Sequence, residues 1–261
     1  MRSRLAVVLA LVVAVPCLFT AQTASTSPKV WVGQQAEFED CLKTAPVASR
    51  TDVPIGVTRP VRLFFEPGAA CASAAFSSQP TSRNSGFLES HQSRIAAYEL
   101  DKLLQLEMVP PTVERVAEGK LGAAQLWIEG AVYLSDLDDE RPPNGFTWLR
   151  QIRRWRVFDN LIAEIDRNDG NVLVLRDPNW HLVLIDHSRA FSNTTRLVQT
   201  MQFIDRPFFA RLKALDDKTL EATVSPLLLD GSRSLLRRRD AIVEHFEKLA
   251  EDKGEAAVFT P

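Results

Sequence analysis

The sequence predicts an α+β fold in two lobes, a small strand-rich lobe followed by a mainly helical one, and three observations lead there. Short apolar runs separated by turn residues crowd residues 53 to 130. Amphipathic helical stripes dominate beyond residue 145. An acidic, proline-rich connector at 135 to 145 lies between them. With 45% hydrophobic and 25% charged residues in 261, the composition is that of an ordinary globular chain.

Met1-Arg2-Ser3-Arg4 is basic, and Leu5 to Val15 is an apolar run too short to span a bilayer comfortably. With the small residues of Ala21 to Ser25 behind it, the segment reads as a secretory signal over residues 1–24, so the chain is expected to be exported to a periplasm or secreted. An uncleaved signal anchoring the chain in a membrane is the alternative. Without Arg2 and Arg4 there remain 29 basic against 33 acidic residues, a net charge near −4, and the mature chain is expected to carry no transmembrane span. Nucleic acid is not an expected partner, because binding it requires an excess of positive charge on one face. Cys41 and Cys71 either form one disulfide in an oxidising compartment or stay unpaired.

Residues 25–52 form a lead-in with one helical stretch near Ala36 to Leu42. Val61 to Phe65 and Cys71 to Phe76 flank Glu66-Pro67-Gly68, which is turn chemistry between two strands. Ser77 to Ser90 is polar and Ser-rich and reads as a mobile loop. Between Ser93 and Leu106, Ala96, Leu100, Leu103 and Leu104 make the one-sided stripe of a helix, which Val109-Pro110-Pro111 stops. Thr112 to Val116 and Gly122 to Ile128 are two further strands. These elements define a small lobe over 53–130 and a second lobe over 131–261.

In the second lobe, Trp148, Ile152, Trp155, Leu161, Ile162 and Ile165 supply the buried side of a long helix, with Arg150, Arg153, Arg154 and Arg156 on its solvated face. Leu235, Ile242, Phe246 and Leu249 mark a last helix, ended by Lys253-Gly254.

The chemistry concentrates around a hairpin. Asn171 to Leu175 and His181 to Asp186 flank Asp177-Pro178-Asn179-Trp180, and a tight turn centred on Pro178 and Asn179 sets Asn171 opposite Asp186. Asp166 lies five residues before Asn171. Two hard oxygen donors beside a third carboxylate suit a Mg²⁺-phosphate complex, with the third group placed to orient or deprotonate an attacking hydroxyl.

The segments Asp166-Arg167-Asn168-Asp169-Gly170-Asn171 and Leu184-Ile185-Asp186-His187 resemble the catalytic and metal loops of atypical kinases, among them phosphatidylinositol 4-kinases and HipA-type toxin kinases. The stretch from Ile95 to Leu104, with Val109-Pro110-Pro111 behind it, is similar to the small-lobe helix of secretory-pathway kinases. The resemblance implies a nucleotide such as ATP, with Mg or Mn, and transfer to a hydroxyl of a protein, lipid or small molecule. It implies Asp166 as catalytic base, Asn171 and Asp186 as metal ligands, and Gln125, Trp127, Ile128 and Glu129 as the adenine-binding hinge.

The sequence departs from that pattern where an active kinase keeps a lysine on its third strand and a glutamate on the helix. Ser77 and Arg94 stand there instead. Either Arg94 turns inward and supplies the phosphate-binding charge, with Lys102, Lys120 and Arg83 as other candidates and Glu99 as a replacement acid, or transfer is lost and a silent nucleotide- or protein-binding module remains. A glycine-rich phosphate loop is not evident; Gly56 stands nearly alone.

Overall fold

The computed structural model describes residues 29–54, 60–84, 87–176, 179–228 and 231–261. The proposed signal and Gly56 lie outside them, as do Asp177 and Pro178 of the hairpin turn.

The chain opens with α1 (Gln35–Thr44), then β1 (Val47–Asp52), β2 (Val61–Phe65), β3 (Ser73–Ser77), β4 (Ser82–Asn84) and β5 (Phe87–Glu89). Next come α2 (His91–Leu104), β6 (Thr112–Ala117), β7 (Lys120–Leu126) and β8 (Ala131–Tyr133). After α3 (Gly145–Ile162) follow β9 (Val172–Leu175), β10 (His181–Leu184), β11 (Ile204–Asp205), α4 (Arg206–Ala214), α5 (Asp217–Val224), α6 (Gly231–Lys253), α7 (Glu255–Val258) and β12 (Phe259–Thr260). A five-stranded antiparallel sheet, in the order β1-β2-β3-β7-β6, forms the small lobe. Helices make up most of the second lobe.

The expected lead-in is structured over its described residues, 29–52. Trp31 is buried, α1 packs on the sheet, and β1 pairs with β2. Cys41 on α1 is joined to Cys71, just before β3, by a disulfide. The Ser77 to Ser90 stretch, expected as a loop, is not wholly irregular among its described residues. It carries the short β4–β5 ladder and ends at the buried Glu89 and Ser90. Ser90 caps α2 by accepting from the Gln92 N–H, and its own N–H donates to the Ser188 carbonyl at 2.9 Å, so a distant contact holds the end of this polar segment.

Two hydrophobic cores meet at the β9–β10 hairpin. Val172, Val174, Leu182 and Leu184 point into the helical lobe's core, which also takes Ala96, Tyr98 and Leu100 of α2. Leu173, Leu175, Val183 and Ile185 pack with the small lobe, against a core containing Leu63, Ala74 and Leu126. Strands buried on both faces read as unbroken apolar runs, which is why both arms of this hairpin lack polar alternation.

The register differs from expectation by one residue. Leu184 pairs with Val172, and the Ile185 N–H donates to the Asn171 carbonyl at 3.1 Å, so Asn171 faces Ile185 and not Asp186. Trp180 is the reason: at φ 50° it adds a left-handed residue to the connection, leaving five residues between the paired Leu175 and His181. The long helix also ends earlier than its stripe suggested. Ala163 at φ 49° caps it, and Ile165, expected to be buried, is 41% exposed.

Candidate active site

Between the lobes lies a cavity of about 300 Å³. Its roof is Ala75 on β3. Its back wall is the segment from Gln125 to Ala131 that leaves β7 and enters β8, and its floor is Leu173 and Ile185 of the hairpin. Gln125, Trp127, Ile128 and Glu129 thus line one cavity. Their segment is braced from outside: Gln125 Nε2 donates to Thr112 Oγ1 at 2.9 Å, the Trp127 N–H donates to the Ser73 carbonyl at 3.1 Å, and Arg62 bonds Ser73 Oγ, pairs with Glu129 and stacks 4.3 Å above the Trp127 ring.

The next residue after the floor is Asp186. It closes β10 in a left-handed conformation, φ 56°, a backbone state that aspartate tolerates better than most residues and that turns the chain out of the ladder. Arg94, 6% exposed on α2, reaches it from the small lobe, with a guanidinium nitrogen 2.6 Å from Oδ1. Ser188 Oγ donates to the same oxygen at 2.9 Å. Burial pushes the Asp186 carboxyl upward, but the Arg94 charge and the Ser188 hydrogen bonds outweigh it, and the group sits below the usual carboxylate range.

Asp166 stands on the loop after α3, its side chain 46% exposed. The loop is tied to the hairpin from beneath. Arg167, itself buried, pairs with the fully buried Asp159 of α3 at 3.0 Å and donates from Nη1 to the carbonyls of Asn171 and Ile185, each at 2.9 Å. One guanidinium therefore holds the end of α3, the Asn171 turn and the strand that delivers Asp186. Asn168 Oδ1 accepts from the Gly170 N–H, and the side-chain amides of Asn168 and Asn171 donate to the Asp166 carbonyl at 3.0 and 3.2 Å. That bond engages Asn171 Nδ2, so Oδ1 is the atom of this amide suited to a cation. A carboxylate and an amide oxygen are the hard donor types that Mg²⁺ or Mn²⁺ takes alongside phosphate oxygens.

Several participants escaped the sequence reading. Arg189 bridges the lobes, contacting Glu89 of β5 at 2.5 Å and Asp166 Oδ2 at 3.0 Å. Glu164 is buried, with Oε1 accepting from the Asp166 N–H at 3.0 Å and Oε2 without a hydrogen-bond partner among the described residues; burial raises its carboxyl to about 7. His187 is fully buried against Phe158, and burial followed by the charges of Arg167 and Arg94 holds it well below the usual histidine range, which suits a neutral packing role.

Lys102 and Lys120 do not reach this cleft. Lys102 pairs with Glu39 and with Glu99, the proposed replacement acid. Lys120 is exposed at the start of β7, and the Arg83 side chain lies outside the described part. Ser77, at the end of β3, is buried and its hydroxyl has no hydrogen-bond partner among the described residues.

A sheet-rich lobe and a helical lobe, joined by a hinge over a cavity whose floor delivers an acid, define a kinase-like fold. Solved structures agree. Hydra Fam20 with sugar matches at TM-score 0.68 and 15% identity, covering 85% of this chain and 90% of that one. The Golgi casein kinase with Mn/ADP bound matches at 0.66 and 14%, covering 87% and 78%. The Helicobacter pylori proinflammatory kinase CtkA matches at 0.54 and 11%, covering 81% and 98%. The chain matches no family model and no curated protein. Among the described residues, no helix is long and apolar enough to cross a membrane.

Proposed function

We propose that this chain is an exported, nucleotide- and metal-dependent phosphotransferase acting on a hydroxyl. The observation that carries the proposal is the continuity from cavity to acid: Ile185 floors the inter-lobe cavity and Asp186 follows it, held by Arg94 at 2.6 Å. A base in the cavity would stack between Ala75 and Ile185 and meet the peptide groups from Ile128 to Gly130, since the Trp127 N–H is already engaged. Its phosphates would then run toward Arg94, Asn171 and Asp186. Arg94 supplies the positive charge that Ser77 lacks. Asn171 Oδ1 and Asp186 would hold Mg²⁺ or Mn²⁺, which when bound shields the phosphate oxygens. Asp166 orients the acceptor hydroxyl and takes its proton as the oxygen bonds to the terminal phosphorus and the bridging P–O bond breaks, releasing the nucleoside diphosphate. The Golgi casein kinase, solved with Mn/ADP, lends support as a neighbour in fold. The leader over residues 1–24 and the Cys41–Cys71 disulfide support an oxidising, extracytoplasmic location.

Purified oxidised chain with labelled ATP and Mn²⁺ or Mg²⁺ should label itself or a mixed protein acceptor, and Asp166→Ala and Asp186→Ala should abolish the label. A second reading, a silent nucleotide-binding module, is favoured by Ser77, which leaves the end of β3 without a cation. Stabilisation by ADP and Mn²⁺ without labelling would select it, and absence of both would overturn the two readings together.

A further inference from the structure

Outside the cleft, the arginines of α3 divide into two pairs. Arg150 and Arg154 converge on the buried Asp205, at 3.5 and 2.7 Å, and that carboxylate answers them. Arg153 and Arg156 face the other way, onto a cavity of about 200 Å³ that they line with Thr200, Met201, Gln202 and Phe203. No acid lines it.

The walls are fixed before any ligand arrives. The fully buried Asn160 accepts from the Gln199 N–H at 3.0 Å and donates to the Arg156 carbonyl at 2.8 Å. His245 Nε2 bonds the Met201 carbonyl at 2.8 Å. The Arg153 guanidinium stacks 4.5 Å over the ring of Phe203, which is 40% exposed, so its plane is set by packing. Two arginines, a threonine and a glutamine thus line one cavity together with an apolar ring, in a chain whose net charge is negative.

We propose that this cavity is a binding site for an organic phosphate monoester. Two unanswered guanidinium charges call for a dianion, which a phosphate monoester supplies near neutral pH and a carboxylate does not. The volume is below that of sites that enclose drug-sized ligands and suits a phosphate on a short stem. The exposed face of Phe203 is where that stem packs. The site does not depend on the cleft's chemistry.

Isothermal titration of the full chain with phenyl phosphate, inorganic phosphate and benzoate tests this. Phenyl phosphate should bind at least about tenfold tighter than either of the others, and Arg153→Ala/Arg156→Ala should lose at least about tenfold of that affinity. Arg94→Ala, which alters only the cleft, should leave it unchanged, and the double variant should leave ATP-dependent labelling unchanged. Should the double variant fail to fold, Arg156→Ala on the exposed end of the pair carries the same expectation. Phenyl phosphate binding that is absent at millimolar concentration, that survives the arginine substitutions, or that disappears with Arg94 instead would overturn the assignment. Equal affinity for inorganic phosphate would overturn the role of Phe203.

Discussion

Arg94 and Asp186 stand 2.6 Å apart, one on the small lobe's helix and the other at the end of a strand in the helical lobe, so the cleft is spanned by an ion pair with its arginine almost wholly buried. Removing the arginine strands a largely buried carboxylate. Arg94→Ala should cost about 2–3 kcal/mol of stability, and Arg94→Lys, which keeps a charge without the planar fork, about 1 kcal/mol. Urea midpoints near pH 7 measure both.

The same pair sets an acid limit. Asp186 has its folded pKa depressed, with burial opposed and outweighed by Arg94 and Ser188. Its contribution to stability is therefore present above the unfolded carboxylate value of about 3.9 and is lost as pH falls through the depressed folded value. With Arg94 gone, Ser188 and the Arg167 charge still oppose burial, but the folded pKa moves up toward or past the unfolded value, so the acid-side loss owed to Asp186 should be smaller than in the wild type. A stability profile from pH 2 to 7 that is identical for the two proteins would refute this.

Glu164 works with the opposite sign. Burial raises its folded pKa to about 7. The folded state keeps a proton that the unfolded state has released, so stability falls as pH rises from the unfolded value near 4.3 to about 7 and is level above it. Glu164→Gln removes that slope, and its advantage over wild type should grow across this window to on the order of 3 kcal/mol at pH 8. The Gln amide can still accept the Asp166 N–H, so labelling activity, where present, should persist. Paired denaturation curves at pH 5 and pH 8 give the difference directly.

Elements whose signal is local were legible in the sequence. The α2 stripe, both hairpin arms and the turn at Glu66-Pro67-Gly68 follow from periodicity and turn chemistry, and the hinge residues do line the inter-lobe cavity. The one-residue register shift was hidden because Trp180 adopts a left-handed backbone, which no glycine announces. Ala163 hid the end of α3 in the same way, making Ile165 look like core. Arg189 was out of reach for another reason: its partners Glu89 and Asp166 lie 100 and 23 positions away, and only the closed cleft brings them together. Arg167 stood inside the quoted motif, yet its hold on Asp159, Asn171 and Ile185 is a tertiary property without a spacing rule.

The disulfide should matter to folding more than to the cleft. Cys41 and Cys71 are 30 positions apart, and opening that loop should lower stability by about 3–4 kcal/mol through the added freedom of the unfolded chain. Cys41→Ser/Cys71→Ser should show the loss in urea midpoints. At a temperature where the variant remains folded, its affinity for ADP with Mn²⁺ should be unchanged, because the bond joins α1 to the strand edge and none of the cavity-lining residues.

Ala75 gives the most selective test of where a nucleotide sits. It roofs the inter-lobe cavity from β3, opposite Leu173 and Ile185, and pairs in the ladder with Arg62 and Gln125. A leucine there adds apolar volume to open space without displacing a packed neighbour, so the unliganded protein should change by no more than about 1 kcal/mol. The roof would descend onto the floor, and a flat base could no longer enter between them. The thermal stabilisation that ADP and Mn²⁺ confer on the wild type should therefore vanish in Ala75→Leu, while phenyl phosphate binding at Arg153 and Arg156 is retained. If Ala75→Leu kept the full ADP-dependent shift, the base would have to bind elsewhere, and the path from Ile185 to Asp186 would lose its meaning as the route of the phosphates.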